Sequence, residues 1–285
     1  MTTTLKRRLR RASTSLVRRS RTLFERGVPA AAAADVQFDP QAPPLVLSPH
    51  WDDAVLSCWS LLSADTEVEI VNLFAGLPPQ GRRGPWEAFA GLHDSRERAQ
   101  GRIAEDARAL SLAGRDVHNL PLQEVRQREA AEGTRLSALR RELAGAVTRA
   151  SRVYAPAGIG GHVDHVLARR YARELLAHGM PVTLYAELPY CVTHGWPEWA
   201  RQDGRRDEGD VDAYWQTFLR DVPEMPPLRE GRVVHLDDDA AAAKLRAIGC
   251  YQLSLGLAAR EMLAAGGFHA VEVAWDLEPL ENSAG

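Results

Sequence analysis

Between residues 44 and 190 the chain alternates short apolar runs with longer stretches of helical periodicity, and that rhythm leaves few folds open. "LVLS" at 45, "EVEIVNLFA" at 67, "VHNLPL" at 117, "RVYAP" at 152 and "VTLYAEL" at 182 read as strands. The spacing predicts helices between them: one to about Leu62, then about Asp94 to Leu112, Thr134 to Arg149, and His162 to His178. Strands linked by helices of this length join through right-handed crossovers into a parallel sheet, so a Rossmann-like α/β fold follows, mostly parallel with helices on both faces. After residue 190 a polar, Gly-rich excursion, "THGWPEWARQDGRRDEGD", breaks the rhythm. "GRVVHLD" at 231, one helix from about Asp238 to Ala264, and the strand "HAVEVAWDL" at 269 restore it.

In an open parallel sheet the carboxyl ends of the strands carry the chemistry. The first strand ends in "SPHWDDAVLSC", which sets His50, Trp51, Asp52 and Asp53 at a strand-to-helix turn. Two adjacent carboxylates repel each other and lose hydration near a buried strand end, so the pair needs either a cation or a helix N-terminus to serve. One aspartate is enough to cap a helix. The fourth strand ends in the same manner: "YAPAGIGGHVDHVLARR" gives a turn with Gly158, Gly160 and Gly161, then His162, Asp164 and His165 at a helix start. His162 and His165 lie three positions apart, so one helix face carries both. Two such clusters on one sheet favour a metal site over capping. Three His or Asp ligands and an open position are what a catalytic zinc requires, although imidazole and carboxylate also suit other divalent metals. If Asp53 ligates, Asp52 is free to act as a base.

"SPHWDDAVLS" together with "GGHVDH" resembles the PIG-L/LmbE-like family of zinc-dependent N-deacetylases, whose motifs are H-P-D-D-E and H-x-D-H. The resemblance extends over most of residues 44–277. Carried over position by position, it implies that His50, Asp53 and His165 hold Zn2+ and that Asp52 is the base. His162 would stabilise the tetrahedral intermediate or protonate the leaving amine, Asp164 would orient a histidine, and Arg102 and Glu124 would touch the sugar. Trp51 stands where the family has Pro, and its ring would either pack or floor the substrate pocket. Ala54 replaces the motif Glu. Gly160 stands where some relatives carry a Tyr that polarises the amide carbonyl, so an oxyanion donor must come from elsewhere. The implied reaction is removal of an N-acetyl or related N-acyl group from an amino sugar or glycoside. A metal-dependent amidase on a non-sugar amide and a catalytically silent sugar-binding protein are the alternatives.

Composition adds the surroundings. No run approaches the length of a membrane span, and Cys58, Cys191 and Cys250 suit reduced thiols in the cytoplasm better than a disulfide framework. The net charge of −3 hides an asymmetry: residues 1–26 carry nine basic side chains and one acid, a surplus of +8 that leaves −11 for the rest. Residues 1–43 therefore read as a basic helix or tail with an Ala/Pro linker, and residues 44–285 as the catalytic domain. The basic segment would lie on the acidic body or touch an anionic surface; no stable nucleic-acid partner is expected. His194, Trp196 and Trp199 would border the site or simply pack.

Overall fold

The computed structural model describes residues 39–83, 87, 93–124, 135–202 and 209–277. Within them the expected architecture is present. Seven strands form one sheet: β1 (Leu45–Ser48), β2 (Glu69–Asn72), β3 (His118–Asn119), β4 (Val153–Pro156), β5 (Val182–Tyr185), β6 (Arg232–His235) and β7 (Val271–Leu277), in the order β3-β2-β1-β4-β5-β7-β6. The first five pair in parallel, whereas β7 runs antiparallel to both β5 and β6. β1 and β5 are buried at every residue. This is why they read as unbroken apolar runs: a central parallel strand is covered on both faces.

The helices are α1 (Asp53–Ser57), α2 (Trp59–Leu62), α3 (Ser95–Ser111), α4 (Arg135–Thr148), α5 (Val163–Ala177), α6 (Val211–Leu219), α7 (Asp238–Ile248) and α8 (Gln252–Ala265). Two differences from the sequence reading stand out. The helix expected to run unbroken to Leu62 is interrupted at Cys58, because the Trp59 and Ser60 N–H groups donate to the Glu272 carboxylate of β7 (2.6 and 3.0 Å). The helix expected over Asp238 to Ala264 is two helices. Glu105 of α3 accepts the N–H groups of Gln252, Leu253 and Ser254 (2.8, 2.7 and 3.1 Å), which starts α8 afresh. In both places a remote carboxylate satisfies donors that a new helix would leave orphaned.

The excursion after β5 is not a polar flap throughout. Trp196 and Trp199 pack edge-on against Trp215 of α6, which itself meets Trp275 of β7. His194 lies against Tyr214, with ring centroids 4.6 Å apart. Packing is thus the role these aromatics fill. The basic segment and most of the linker lie outside the described residues. No helix among the described residues is long and apolar enough to cross a membrane.

Candidate active site

β1 and β4 are neighbours in the sheet, so the turns that follow them converge at one end. Locally the β1 turn is tied by its own side chains. Ser48 Oγ donates to His50 O (2.6 Å) and accepts from Ala54 N–H (3.1 Å), while Asp53 Oδ2 accepts His50 N–H (2.9 Å). The β4 turn uses left-handed glycines, Gly158, Gly160 and Gly161, to bring His162 to the N-cap of α5, where its Nδ1 accepts Asp164 N–H (3.3 Å).

Three donor atoms meet there. His50 Nδ1, Asp53 Oδ2 and His165 Nε2 form a triangle with every edge 3.3 Å. In a tetrahedral centre, ligand atoms that far apart lie about 2.0 Å from the ion, the usual zinc–nitrogen and zinc–oxygen distance. Behind the triangle, His50 Nε2 meets Asp164 Oδ2 at 3.2 Å and His165 Nδ1 meets Glu187 Oε1 at 3.3 Å. A carboxylate on the far nitrogen holds the proton there and leaves the near nitrogen's lone pair facing inward, the arrangement that metal-binding histidines require. The residues present therefore fit a divalent ion.

The electrostatics point the same way. Although burial opposes charge on the imidazoles, the hydrogen bonds that His50 donates to Asp164 and Asp53 push it up to about 10. For His165, the Asp53 charge and the hydrogen bonds to Asp53 and Glu187 overcome burial and push it up to about 9. Asp53 goes well below the usual carboxylate range, because the two histidines outweigh its burial. The carboxylates thus draw positive charge to this cluster, carried by protons on the two imidazoles unless an ion displaces them.

His162 differs from the other two histidines. Burial, then the neighbouring His50 and His165, hold it well below its ordinary value, so it is neutral. The three imidazoles offer nitrogens within 4.8 Å of one another, which makes a three-histidine set geometrically conceivable. Yet Nδ1 of His162 already accepts a backbone N–H, so its proton sits on Nε2, and a protonated nitrogen donates instead of ligating. Asp52 lies beside the triangle, 8% exposed, with its carboxyl raised by burial and by the Asp53 charge.

On the β2 side of the centre, the Arg102 guanidinium sits 4.4 Å above the Trp51 ring and is ion-paired with Glu124. These three residues line a small cleft with Gly76, Pro78 and Arg98. The structure thus gathers every site residue expected from the sequence, and adds two that the reading missed. Glu187 follows β5 as His50 follows β1, an acid directly after an apolar strand, and that was its available signal. Tyr190, three residues further on, faces both His162 and His165, with ring centroids 5.9 and 5.1 Å away.

A mostly parallel α/β sheet carrying a histidine–aspartate centre at its strand ends defines the class. Residues 45–176 match the model of the PIG-L family, described as GlcNAc-PI de-N-acetylase, which is the family the motifs resemble. A curated relative, the 2'-N-acetylparomamine deacetylase of Streptomyces fradiae, is 30% identical over 181 residues. That match covers 59% of this chain and spans 60% of the relative's length. Among solved structures, a triple mutant of a deacetylase of the teicoplanin biosynthetic pathway superposes with a TM-score of 0.63 at 22% identity. It covers 85% of this chain and 100% of its own. The zinc-inhibited form of teicoplanin deacetylase gives 0.60 at 20% identity, with 85% and 100% covered. At these identities the two structures establish the fold.

Proposed function

We propose that this chain is a metal-dependent N-deacetylase that removes an N-acetyl group from an amino sugar or glycoside. The observation that carries the reading is the 3.3 Å triangle of His50, Asp53 and His165, with a buried carboxylate behind each histidine. The relative named as a 2'-N-acetylparomamine deacetylase supports the substrate class. Zinc is the ion that this donor set suits best. When bound, the ion lowers the pKa of a water and polarises the amide carbonyl.

The chain's own groups do the rest. Asp52 adjoins the centre but is outside the donor triangle, and burial makes it a stronger base than a surface carboxylate. It takes the proton from the attacking water. His162 presents an Nε2–H and remains neutral, so it donates a hydrogen bond to the oxyanion as the carbonyl carbon becomes tetrahedral. Asp164 fixes the His50 ring, and Glu187 fixes that of His165. Trp51, Arg102 and Glu124 form the wall that receives the sugar. The amine leaves with the proton that Asp52 has taken up. Three unbridged cysteines, two of them buried, suit a reducing compartment, so the reading includes a cytoplasmic location.

The test pairs metal analysis with a screen of N-acetylated glycosides for amine release, run on wild type and Asp52→Asn. One ion per chain, amine release by wild type, and a turnover loss of about 100-fold or more in the metal-loaded variant are expected. Protein that neither contains nor takes up a divalent ion would overturn the reading. So would metal-loaded protein that releases no amine from any N-acetylated sugar.

A further inference from the structure

We infer that Tyr190 is a specificity-determining residue, the wall that confines this site to short acyl groups such as acetyl. The inference rests on the deacetylase reading above and concerns the half of the substrate which that reading leaves open. Strand order sets up the argument. The centre lies over β1 and β4; Trp51, Arg102 and Glu124 approach it from the β1–β2–β3 side, and Tyr190 arrives after β5 from the other. An amide lying across the centre must therefore point one of its halves toward the charged flank and the other toward the tyrosine. The many hydroxyls of a sugar match Arg102 and Glu124, which leaves the acyl half for the aromatic flank.

The ring on that flank is held from several directions. It lies edge-on to His165 and tilted against His162. Its other side closes on the glycine turn: a Cβ added at Gly160 would come within 2.9 Å of the Tyr190 Cβ and 3.4 Å of Cδ1. Gly160 also has φ +89°, so the absence of a side chain there both permits the turn and admits the ring. The Tyr190 carbonyl accepts from Thr193 N–H (3.3 Å) and Thr193 Oγ1 (2.8 Å), which fixes the backbone beneath the ring. His50, Asp52 and His162 are each exposed by 8% or less, and Tyr190 is half-buried beside them. A longer acyl chain would have to displace a side chain that cannot retreat into Gly160.

The test compares kcat/KM for N-acetyl-, N-butanoyl- and N-hexanoylglucosaminides in zinc-loaded wild type, Tyr190→Ala and Tyr190→Phe, with inhibition by acetate and by hexanoate as a binding readout. Wild type should prefer acetyl to hexanoyl by about 100-fold or more, since single methylenes in a tight pocket already discriminate by roughly 10-fold upward. Tyr190→Ala should narrow that ratio by about 10-fold or more and bring hexanoate inhibition to the level of acetate. Tyr190→Phe keeps the ring and should keep the ratio. If Tyr190→Ala does not fold, Tyr190→Val serves, with the same narrowing expected. An unchanged ratio in a folded, metal-loaded Ala or Val variant would overturn the inference, as would a ratio that Tyr190→Phe also abolishes. Wild type that hydrolyses acetyl and hexanoyl substrates equally would defeat this inference alone, whereas wild type inactive on all three would defeat the deacetylase reading instead.

Discussion

Glu187 shows how much a single side chain behind the centre can decide. It is fully buried, and its Oε1 reaches His165 Nδ1 while Oε2 has no hydrogen-bond partner among the described residues. Burial raises its carboxyl above the usual range. The stability cost of an ionised carboxylate in such a place is large unless positive charge lies near. On the proposed reading, an ion on the other side of the His165 ring would provide that charge. Glu187→Gln should therefore weaken zinc binding by about 10- to 100-fold in chelator competition, while turnover at saturating metal changes little. Unchanged metal affinity would mean that the His165 ring needs no partner for its far nitrogen. Sequence motifs exposed the two turns of the candidate site because His50, Asp52, Asp53, His162, Asp164 and His165 fall in two short runs. Glu187 and Tyr190 each stand alone in sequence and gain meaning only when β5 lies beside β4.

At the scale of elements, buried carboxylates from α3 set the position of α8. Glu105 caps its first turn, and the neighbouring Asp106 accepts from the Tyr251 hydroxyl and from Asn72 Nδ2, both at 2.7 Å. Burial pushes Asp106 up to about 7 in spite of those two hydrogen bonds. The folded protein thus keeps a proton that the unfolded chain releases near the ordinary aspartate value of 3.8. This group's contribution to stability is complete below about pH 4 and is lost as pH rises through about 7. Asp106→Asn carries no such proton, so its melting temperature should change less between pH 5 and 8 than that of wild type. Parallel melting curves for the two proteins across that range would exclude the effect. The periodicity of residues 238–264 gave no hint of the break between α7 and α8. Its cause lies on α3, some 150 residues away, where local pattern has no reach. Strand positions were legible for the opposite reason: burial on both faces writes itself into consecutive residues.

For the whole molecule, the charge division separates a basic leading segment from an acidic remainder. Every residue of the site described above follows Pro44, and β1 begins at Leu45. Deletion of residues 1–38 should leave metal content and kcat on a small soluble substrate within about two-fold of the full chain. It should also abolish any binding to anionic vesicles, and that binding in the full chain should fade with added salt, since the screening length is about 10 Å at 0.1 M. A large fall in kcat with folding and metal intact would show that the segment completes the site.

The seam between β1 and β4 joins residues 45–46 to 153–154, and its two turns supply the triangle from positions more than a hundred residues apart. Neither half of the chain owns the centre. During synthesis or refolding, His50 and Asp53 remain an open pair until β4 and the start of α5 have been made and have docked, which is a late, non-local event. On the proposed reading, a half-built domain offers two donors where the finished one offers three, and an ion would settle there after the seam has closed. Once seated it ties the two segments together, adding to stability in proportion to the logarithm of free metal over its dissociation constant. On the proposed reading, cofactor loading then follows the joining of the sheet's centre, and loss of the ion removes the tie across that seam.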